Sequence, residues 1–538
     1  MAAHLIIAPV VLPLVAGAGM LLLGDRYRNL KAAIDVAACF ALVGIAVALL
    51  GMSDASSAGV AGVYRLGDWP SPFGIVLVLD RLSALMLLLT GVLASAAVVF
   101  SLARWHRAGA HFHSLFQFLL MGLNGAFLTG DLFNLFVFFE LLLAASYGLA
   151  LHGSGISRVQ AGLHYIVVNL AASLLFLIGV SLIYGVSGTL NMADLAVRIP
   201  NIADEDRALL EAGAGILGIA FLLKAGMWPL CFWLPTTYAA ASAPVASIFA
   251  IMTKVGAYIV LRLWLLLFGA ETGASAGLGG GWLVFGGIAT IAFGAIGMLA
   301  SREMARLAAF SVIVSSGTVL AATGMGQIDV TGGALFYLVS STLGTSAFFL
   351  LVELVERGRD PAADVLAVTR EFYGEDDDID EEDEVGVAIP APMSVLGLVF
   401  IGCALVIAGL PPLSGFIAKF ALLTAAIHPS GLGQGGAIPA GSWALLVVLI
   451  LSGLAAVIAM TRAGIRAFWA SPDKTVPRVR MIEMAPIVVL LILCAAQTVQ
   501  AGPVMRFMQA TAHALHAPGE YIRDVLHPEQ HARAAGGK

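Results

Sequence analysis

The sequence has 538 residues, 60% of them hydrophobic and only 12% charged, with a mean hydropathy of +0.95. That composition excludes a water-soluble globule. The net charge of −6 carries little information, because one local acidic stretch accounts for it.

The apolar residues lie in runs of about 20, the length that crosses a hydrocarbon core of about 30 Å. The expected fold is an all-α polytopic membrane protein of about 14 transmembrane helices. They are placed at 4–23, 31–51, 80–103, 111–130, 132–152, 159–185, 211–234, 243–269, 281–300, 305–325, 331–356, 391–427, 441–463 and 482–500. The first run, Leu5 to Leu23, lacks a basic flank and a cleavage site, so it reads as a span and not as a signal peptide. Alternate loops carry Arg26, Arg28, Lys31, Arg104, Arg107, Arg158, Arg302, Arg306, Arg357, Arg359, Arg370, Arg462, Arg466, Lys474, Arg478 and Arg480. The other loops carry Arg65, Arg198 and Arg207, with Arg81 at a span edge. The first set is expected to face the cytoplasm, with both termini outside.

Four charges stand far from any expected span end. Glu140, in "DLFNLFVFFELLLAASYGLAL", is nine residues past Asp131, about 13 Å along a helix. Lys224 stands in "FLLKAGMWPLCFWLP", Lys254 in "IFAIMTKVGAYIVLRLW" and Lys419 in "LPPLSGFIAKFALL". A charge at the helix centre costs about 2.5–3.5 kcal/mol on insertion scales. An ion pair that locks the bundle accounts for Glu140 and one lysine but leaves two lysines over. A proton path accounts for all four, because an ammonium group out of water gives up its proton more readily and a nearby carboxylate holds the proton on. Glu140 with Lys224 is then a candidate switch and Lys254 a candidate relay. His164, in "AGLHYIVVNL", is a possible relay or an ordinary core histidine.

Proline removes a helical hydrogen bond and clashes with the preceding turn. Pro229 and Pro235 are therefore expected to break the Lys224 span. The run from Ile389 to Ile427 is about 58 Å as one straight helix, and Pro411, Pro412 and Gly415 are expected to divide it. The two broken spans lie five apart, so equivalent spans run in opposite directions, the inverted-repeat pattern of transporters. The expected organisation is helices 1–3 at 1–110, one five-helix repeat at 111–269, an inverted second at 281–463, and a last helix with tail at 464–538. The loop 357–390 holds "EFYGEDDDIDEEDEVG", with ten acids between Glu371 and Glu384. "DDDIDE" has glutamate where a calcium loop needs glycine, so a solvated acidic loop or a docking surface for a basic partner is expected. Cys39, Cys231, Cys403 and Cys494 are scattered through apolar runs without metal spacing and read as buried thiols.

Together "FFELLLAASYGL", "LLKAGMWPLCFWLPTTYAAASAPVASI", "MTKVGAYIVLR" and "LPPLSGFIAKF" resemble the antiporter-like family shared by Mrp cation/proton antiporters and respiratory complex I. The resemblance covers about residues 60–500. "GDLFNLFVFFELLLAASYGLALHG", "PSPFGIVLVLDRLSALM" and "YGEDDDIDEEDEVGVAIP" make it most similar to the D-type subunits of the Mrp/Pha/Mnh group. The resemblance implies proton-translocation roles for Glu140, Lys224, Lys254 and Lys419. Relatives often carry histidine where this chain has Ser340, in "LFYLVSSTLGTSAFF". Ser340, Ser341, Thr342 and Thr345 are expected to order water there. Glu353, near the cytoplasmic end of the same span, is an exit group or an interfacial acid.

The leading expectation is a proton-translocating subunit of a multi-subunit Na+/H+ or K+/H+ antiporter in a bacterial inner membrane, a secondary transporter and not an enzyme. Its partners would be A-, B-, C-, E-, F- and G-type subunits, H+ with Na+ or K+, and lipid. The alternatives are a pumping subunit of a complex I or hydrogenase type redox complex, or a purely structural subunit. No cofactor, metal or nucleic acid is expected, because there is no iron–sulfur cysteine set and no glycine-rich phosphate loop.

Overall fold

The computed structural model describes residues 2–56, 59–109, 111–270, 272–357, 391–428, 438–469 and 479–527. The acidic stretch, with the rest of 358–390, lies outside the described residues, as do Lys474 and Arg478.

A turn of helix at Ala2–Leu5 precedes α1 (Ala8–Leu22), α2 (Arg28–Ala55), α3 (Arg81–Ser101), α4 (Phe112–Leu128), α5 (Leu132–Ala150), α6 (Ile156–Ser187), α7 (Met192–Arg198), α8 (Asp204–Ala225), α9 (Leu234–Ala240) and α10 (Ala243–Leu267). Then follow α11 (Gly280–Ala300), α12 (Met304–Met325), α13 (Ile328–Glu356), α14 (Ala391–Ala408), α15 (Ser414–Ile427), α16 (Ala440–Gly464), α17 (Met481–Val499), α18 (Ala501–His516) and α19 (Gly519–Leu526). Among the described residues, 12 helices are long and apolar enough to cross a membrane. The first and fourth expected spans are the shorter apolar helices α1 and α4, of 15 and 17 residues. The other expected spans coincide with the 12 long helices, so length and composition alone do not establish the count of 14.

Within lipid every backbone group needs a partner in the protein, and α1 shows how this is met. Pro13 lacks the N–H that would bond the carbonyl of Pro9. The Asn124 amide of α4 donates to that carbonyl at 2.8 Å. Small residues let particular helices approach closely. Gly280, Gly287 and Gly294 recur every seven residues along α11. A Cβ at Gly287 would lie 2.5 Å from the Ala321 nitrogen of α12.

Both expected broken spans are broken, and by the same device. Helix α8 ends at Gly226, in left-handed backbone with φ 71°. The Met227 amide bonds back to the Leu222 carbonyl at 3.0 Å. Helix α14 ends at Gly409, φ 75°, and the Leu410 amide bonds back to the Leu405 carbonyl at 3.0 Å. These are glycine-dependent helix stops. Pro229, Pro411 and Pro412 lie in the connections that follow. Pro235 departs from its expected role: it stands in the first turn of α9, where proline starts a helix. Likewise Gly415 begins the second half, within α15.

Two features outside the spans have no counterpart in the hydropathy pattern. An antiparallel hairpin pairs Val60–Arg65 with Val76–Asp80, Val63 opposite Val78. After α17 the chain forms α18 and α19, which pack on α13, α7 and the hairpin. Helices α3, α10, α12 and α13 are the most enclosed of the spans. Three of these, α10, α12 and α13, carry the centre of the candidate site.

Candidate functional site

Asp131 caps α5 by accepting from the Phe133 and Asn134 amides, and Glu140 follows at mid-helix. Its side chain is half-buried, and its Oε1 atom is buried with no hydrogen-bond partner. Lys224 stands in the last turn of α8, 5% exposed, and its Nζ also has no hydrogen-bond partner. The ammonium lies 5.0 Å from the centre of the Phe139 ring. Phe139, Phe176 and Phe221 pack on one another with centroids 5.1 to 6.1 Å apart. The expected Glu140–Lys224 switch is therefore open here, with the cation held by an aromatic face. The stop at Gly226 adds the partial negative charge of a helix C-terminus to the same place. The indole of Trp233 shares that end, donating to the Leu223 carbonyl at 3.3 Å.

Lys254 stands at the middle of α10, 1% exposed. A Cβ at Gly256 would lie 2.5 Å from the Ala225 nitrogen, so only glycine lets α10 run this close to the end of α8. Lys254 donates to Ser315 at 2.7 Å and to Ser316 at 3.4 Å, both on α12. Ser315 is in turn bonded to Ser341 of α13 at 2.7 Å. Beyond Ser341 lies a cavity of about 20 Å³ lined by Ser311, Tyr337, Ser341, Thr345, Lys419 and Ser452 among others. That is room for one water. Lys419, on the far side, donates to the Ala408 carbonyl at 2.8 Å, capping the open end of α14 across the break. A hydrogen-bonded line thus runs Lys254–Ser315–Ser341, and one water-sized gap separates it from Lys419.

This geometry yields an expectation for the second half of the line. Ser341→Leu, which fills the gap with methyl groups, should lower proton flux at least about tenfold, equivalent to about 1.4 kcal/mol of added barrier. Lys419→Ala should also slow turnover and leave assembly intact, although the Ala408 carbonyl loses its donor at a cost of about 1–3 kcal/mol. Proton flux in inverted vesicles at matched subunit levels checks both. Full flux in the two variants would make Lys419 a helix cap and nothing more.

The remaining sequence candidates fall elsewhere. Ser340 turns away from the line and bonds Ser414, the first residue of α15, at 2.7 Å. Thr345 lines the cavity and donates to the Ser341 carbonyl. His164 is exposed, with its ring against Phe232 at 5.4 Å, and no hydrogen bond joins it to Glu140, Lys224 or Lys254. Glu353 accepts from the Trp105 indole and from Arg357, which also pairs with Glu483. It borders a cavity of about 290 Å³ with Arg158, Tyr238 and Phe349.

Two buried charge clusters lie outside the residues singled out by sequence. Arg262 pairs with Asp80 at 2.8 Å beneath Tyr521, and the Tyr258 hydroxyl accepts from Arg262 at 2.9 Å. Asp35 pairs with His113 at 2.6 Å. Asp35 and Arg262 lie only four and seven residues inside the expected span ends, which makes them look interfacial in the sequence. The four cysteines are all buried thiols.

Over residues 129–432 the chain matches the transmembrane family described as NADH:quinone oxidoreductase/Mrp antiporter. The chain belongs to this family. The matched stretch contains Glu140, all three lysines and both helix breaks. As a member of the NADH:quinone oxidoreductase/Mrp antiporter family it is a multi-pass membrane protein and a transporter subunit. It is 61% identical over 525 residues to a probable D-type K+/H+ antiporter subunit of Rhizobium meliloti (strain 1021), covering 97% of each chain. It is 32% identical over 530 residues to a D-type Na+/H+ antiporter subunit of Alkalihalophilus pseudofirmus, covering 97% of this chain and 99% of the other. Its fold is similar to a chain in the Mrp complex from Dietzia sp. DQ12-45-1b, with TM-score 0.80 and 25% identity over 97% of this chain and 99% of that one.

Proposed function

We propose that this chain is the D-type, proton-translocating subunit of a multi-subunit monovalent cation/proton antiporter of the bacterial plasma membrane. The observation that carries the reading is the row of three buried lysines, Lys224, Lys254 and Lys419. Among the described residues none of the three forms an ion pair with an acid, and two of them stand at glycine-terminated helix breaks. A structural role calls for paired charges, whereas a proton carrier calls for a cation that can release its proton into a dry interior. Glu140 faces the first lysine as a partner that can hold or free the charge. "AGMWPL" at Ala225–Leu230 and "AGLPPL" at Ala408–Leu413 fall at the two breaks, which supports two five-helix repeats at 111–269 and 281–463. In the first the lysine precedes the break and in the second it follows. The relatives named as D-type antiporter subunits favour cation exchange over redox-driven pumping, and other subunits of the antiporter are the partners.

The test is antiport in inverted vesicles from cells without their own antiporters, expressing the complete set of subunits. Addition of K+ or Na+ should collapse the pH gradient only when this chain is present. K+ should give the larger response, because the 61% identical relative carries the K+ name. Proton movement that depends on an electron donor and ignores both cations would overturn the reading.

A further inference from the structure

The Asp35–His113 cluster lies apart from the lysine line, between α2 and the first helix of the first repeat, α4. Asp35 is fully buried on α2, eight residues into the helix. His113 Nδ1 meets Asp35 Oδ2 at 2.6 Å, and the Gln117 amide donates to Asp35 Oδ1 at 2.6 Å. The Cys39 thiol completes the ring at 3.8 Å. A pair that only fastened α2 to α4 would need nothing more.

There is more. His113 Nε2 is buried with no partner in the protein, and so is Nδ1 of His106, in the turn Trp105–Arg107. The two rings meet edge to face with centroids 6.0 Å apart. Both line a cavity of about 10 Å³ that runs out past Lys31 to the exposed Arg28 and His111. That volume fits one water, and two unpartnered imidazole nitrogens are the partners such a water needs. We propose that Asp35 and His113 form a second proton-binding site, loaded from the arginine-rich face through His106 and one water, and that its occupancy sets the pH dependence of exchange.

The surrounding charges give the site a direction. On the surface side stand Arg28 and Lys31 of α2, Arg107 beside His106, and His111 at the start of α4. His152, at the end of α5, packs on Phe112 and bonds the Trp105 carbonyl. On the inner side stand Cys39 and Asp35, among the described residues the only carboxylate bonded to the cluster. Burial first, then the charges of His113, Arg107 and Arg28, hold His106 below the usual histidine range. A neutral His106 passes a proton inward without keeping it, and the Asp35 carboxylate, 2.6 Å from His113 Nδ1, stands at the inner end of that route.

The site itself stands on geometry. Its consequence for exchange rests on the antiporter reading, so the experiment has two arms. In the first, the pH–rate profile of the assembled complex is measured for Asp35→Asn, His113→Gln and His106→Phe at matched levels. Asp35→Asn removes one of the two groups that share the proposed proton, so the flank of the profile should move toward acid by about one pH unit, a tenfold change in proton concentration. His113→Gln should remove that flank, and His106→Phe should distort it, with peak rates within about twofold of the unaltered complex. His113→Gln keeps a hydrogen bond to Asp35, so it remains decisive if Asp35→Asn fails to assemble. Profiles for His113→Gln and His106→Phe that superimpose on the unaltered one would overturn the proposal. In the second arm, infrared difference spectra of the purified complex are titrated with pH. A histidine signal that titrates and is lost in His113→Gln is expected, and its absence would overturn the site. An unaltered complex without cation exchange but with that signal would fault the antiporter reading instead.

Discussion

Glu140→Gln and Glu140→Ala are expected to reduce cation/proton exchange in the assembled complex to background, while Glu140→Asp keeps part of it. The glutamine variant preserves size and helix propensity and removes only the charge. Glu140 Oε1 is buried without a hydrogen-bond donor, and its cationic counterpart, Lys224, rests on Phe139. An unpaired carboxylate at mid-membrane depth costs the fold several kcal/mol. Such a charge is stable only if a cation or proton reaches it during the cycle. On the reading proposed above, the open arrangement is one state of a switch, and in the other Lys224 moves off the ring to Glu140. Aspartate carries the charge with one methylene less, so it should support the exchange at a reduced rate. The measurement is exchange in inverted vesicles, with subunit content assayed by blotting. Normal exchange in Glu140→Gln at normal content would remove the charge from the mechanism.

Much of this arrangement is legible in the sequence, and for identifiable reasons. A charge within a 20-residue apolar run is conspicuous, so Glu140, Lys224, Lys254 and Lys419 stand out. Their burial follows from the same cost that makes them conspicuous. The breaks are legible from proline, but the residues that end the half-helices are Gly226 and Gly409. Glycine inside apolar helices is common here, and its left-handed backbone leaves no trace in composition. The match of "AGMWPL" to "AGLPPL" is the signal available for both stops. What the sequence does not supply is which face of a helix a side chain presents. Ser340 and Ser341 are adjacent, and only packing decides that Ser341 joins Ser315 while Ser340 joins Ser414. His164 illustrates the same gap, since Tyr165 beside it is buried and His164 is exposed. Asp35 and His113 are 78 residues apart in the chain, and no local pattern links them. The hairpin strands are too short to register as spans, and the two tail helices lie where hydropathy is low, so both escape a span-based reading.

Lys224→Arg is expected to abolish exchange as completely as Lys224→Ala, although it keeps the positive charge. A lysine ammonium can release its proton when desolvated, whereas a guanidinium stays charged at any working pH. Geometry opposes the exchange of side chains as well. Lys224 lies over the face of Phe139, whose ring packs on Phe176 and Phe221, and its Nζ has no hydrogen-bond partner. A guanidinium brings five N–H donors, more than an aromatic face can satisfy, so it is drawn to the nearest acceptors. Arginine therefore stays fixed, bound to Glu140 or turned toward the open end of α8, and in either position the switch has one state. Assembly should survive, because the Gly226 stop and the close approach at Gly256 do not involve the side chain of residue 224. The two outcomes separate cleanly in exchange assays across about pH 6 to 9, a range that brackets a neutral and an alkaline cytoplasm. Loss at every pH in Lys224→Arg, with the complex intact, identifies Lys224 as a group that must give up its proton. Exchange at the normal rate would instead make it a fixed charge that holds Glu140 in place, and would leave Lys254 as the first residue of the path.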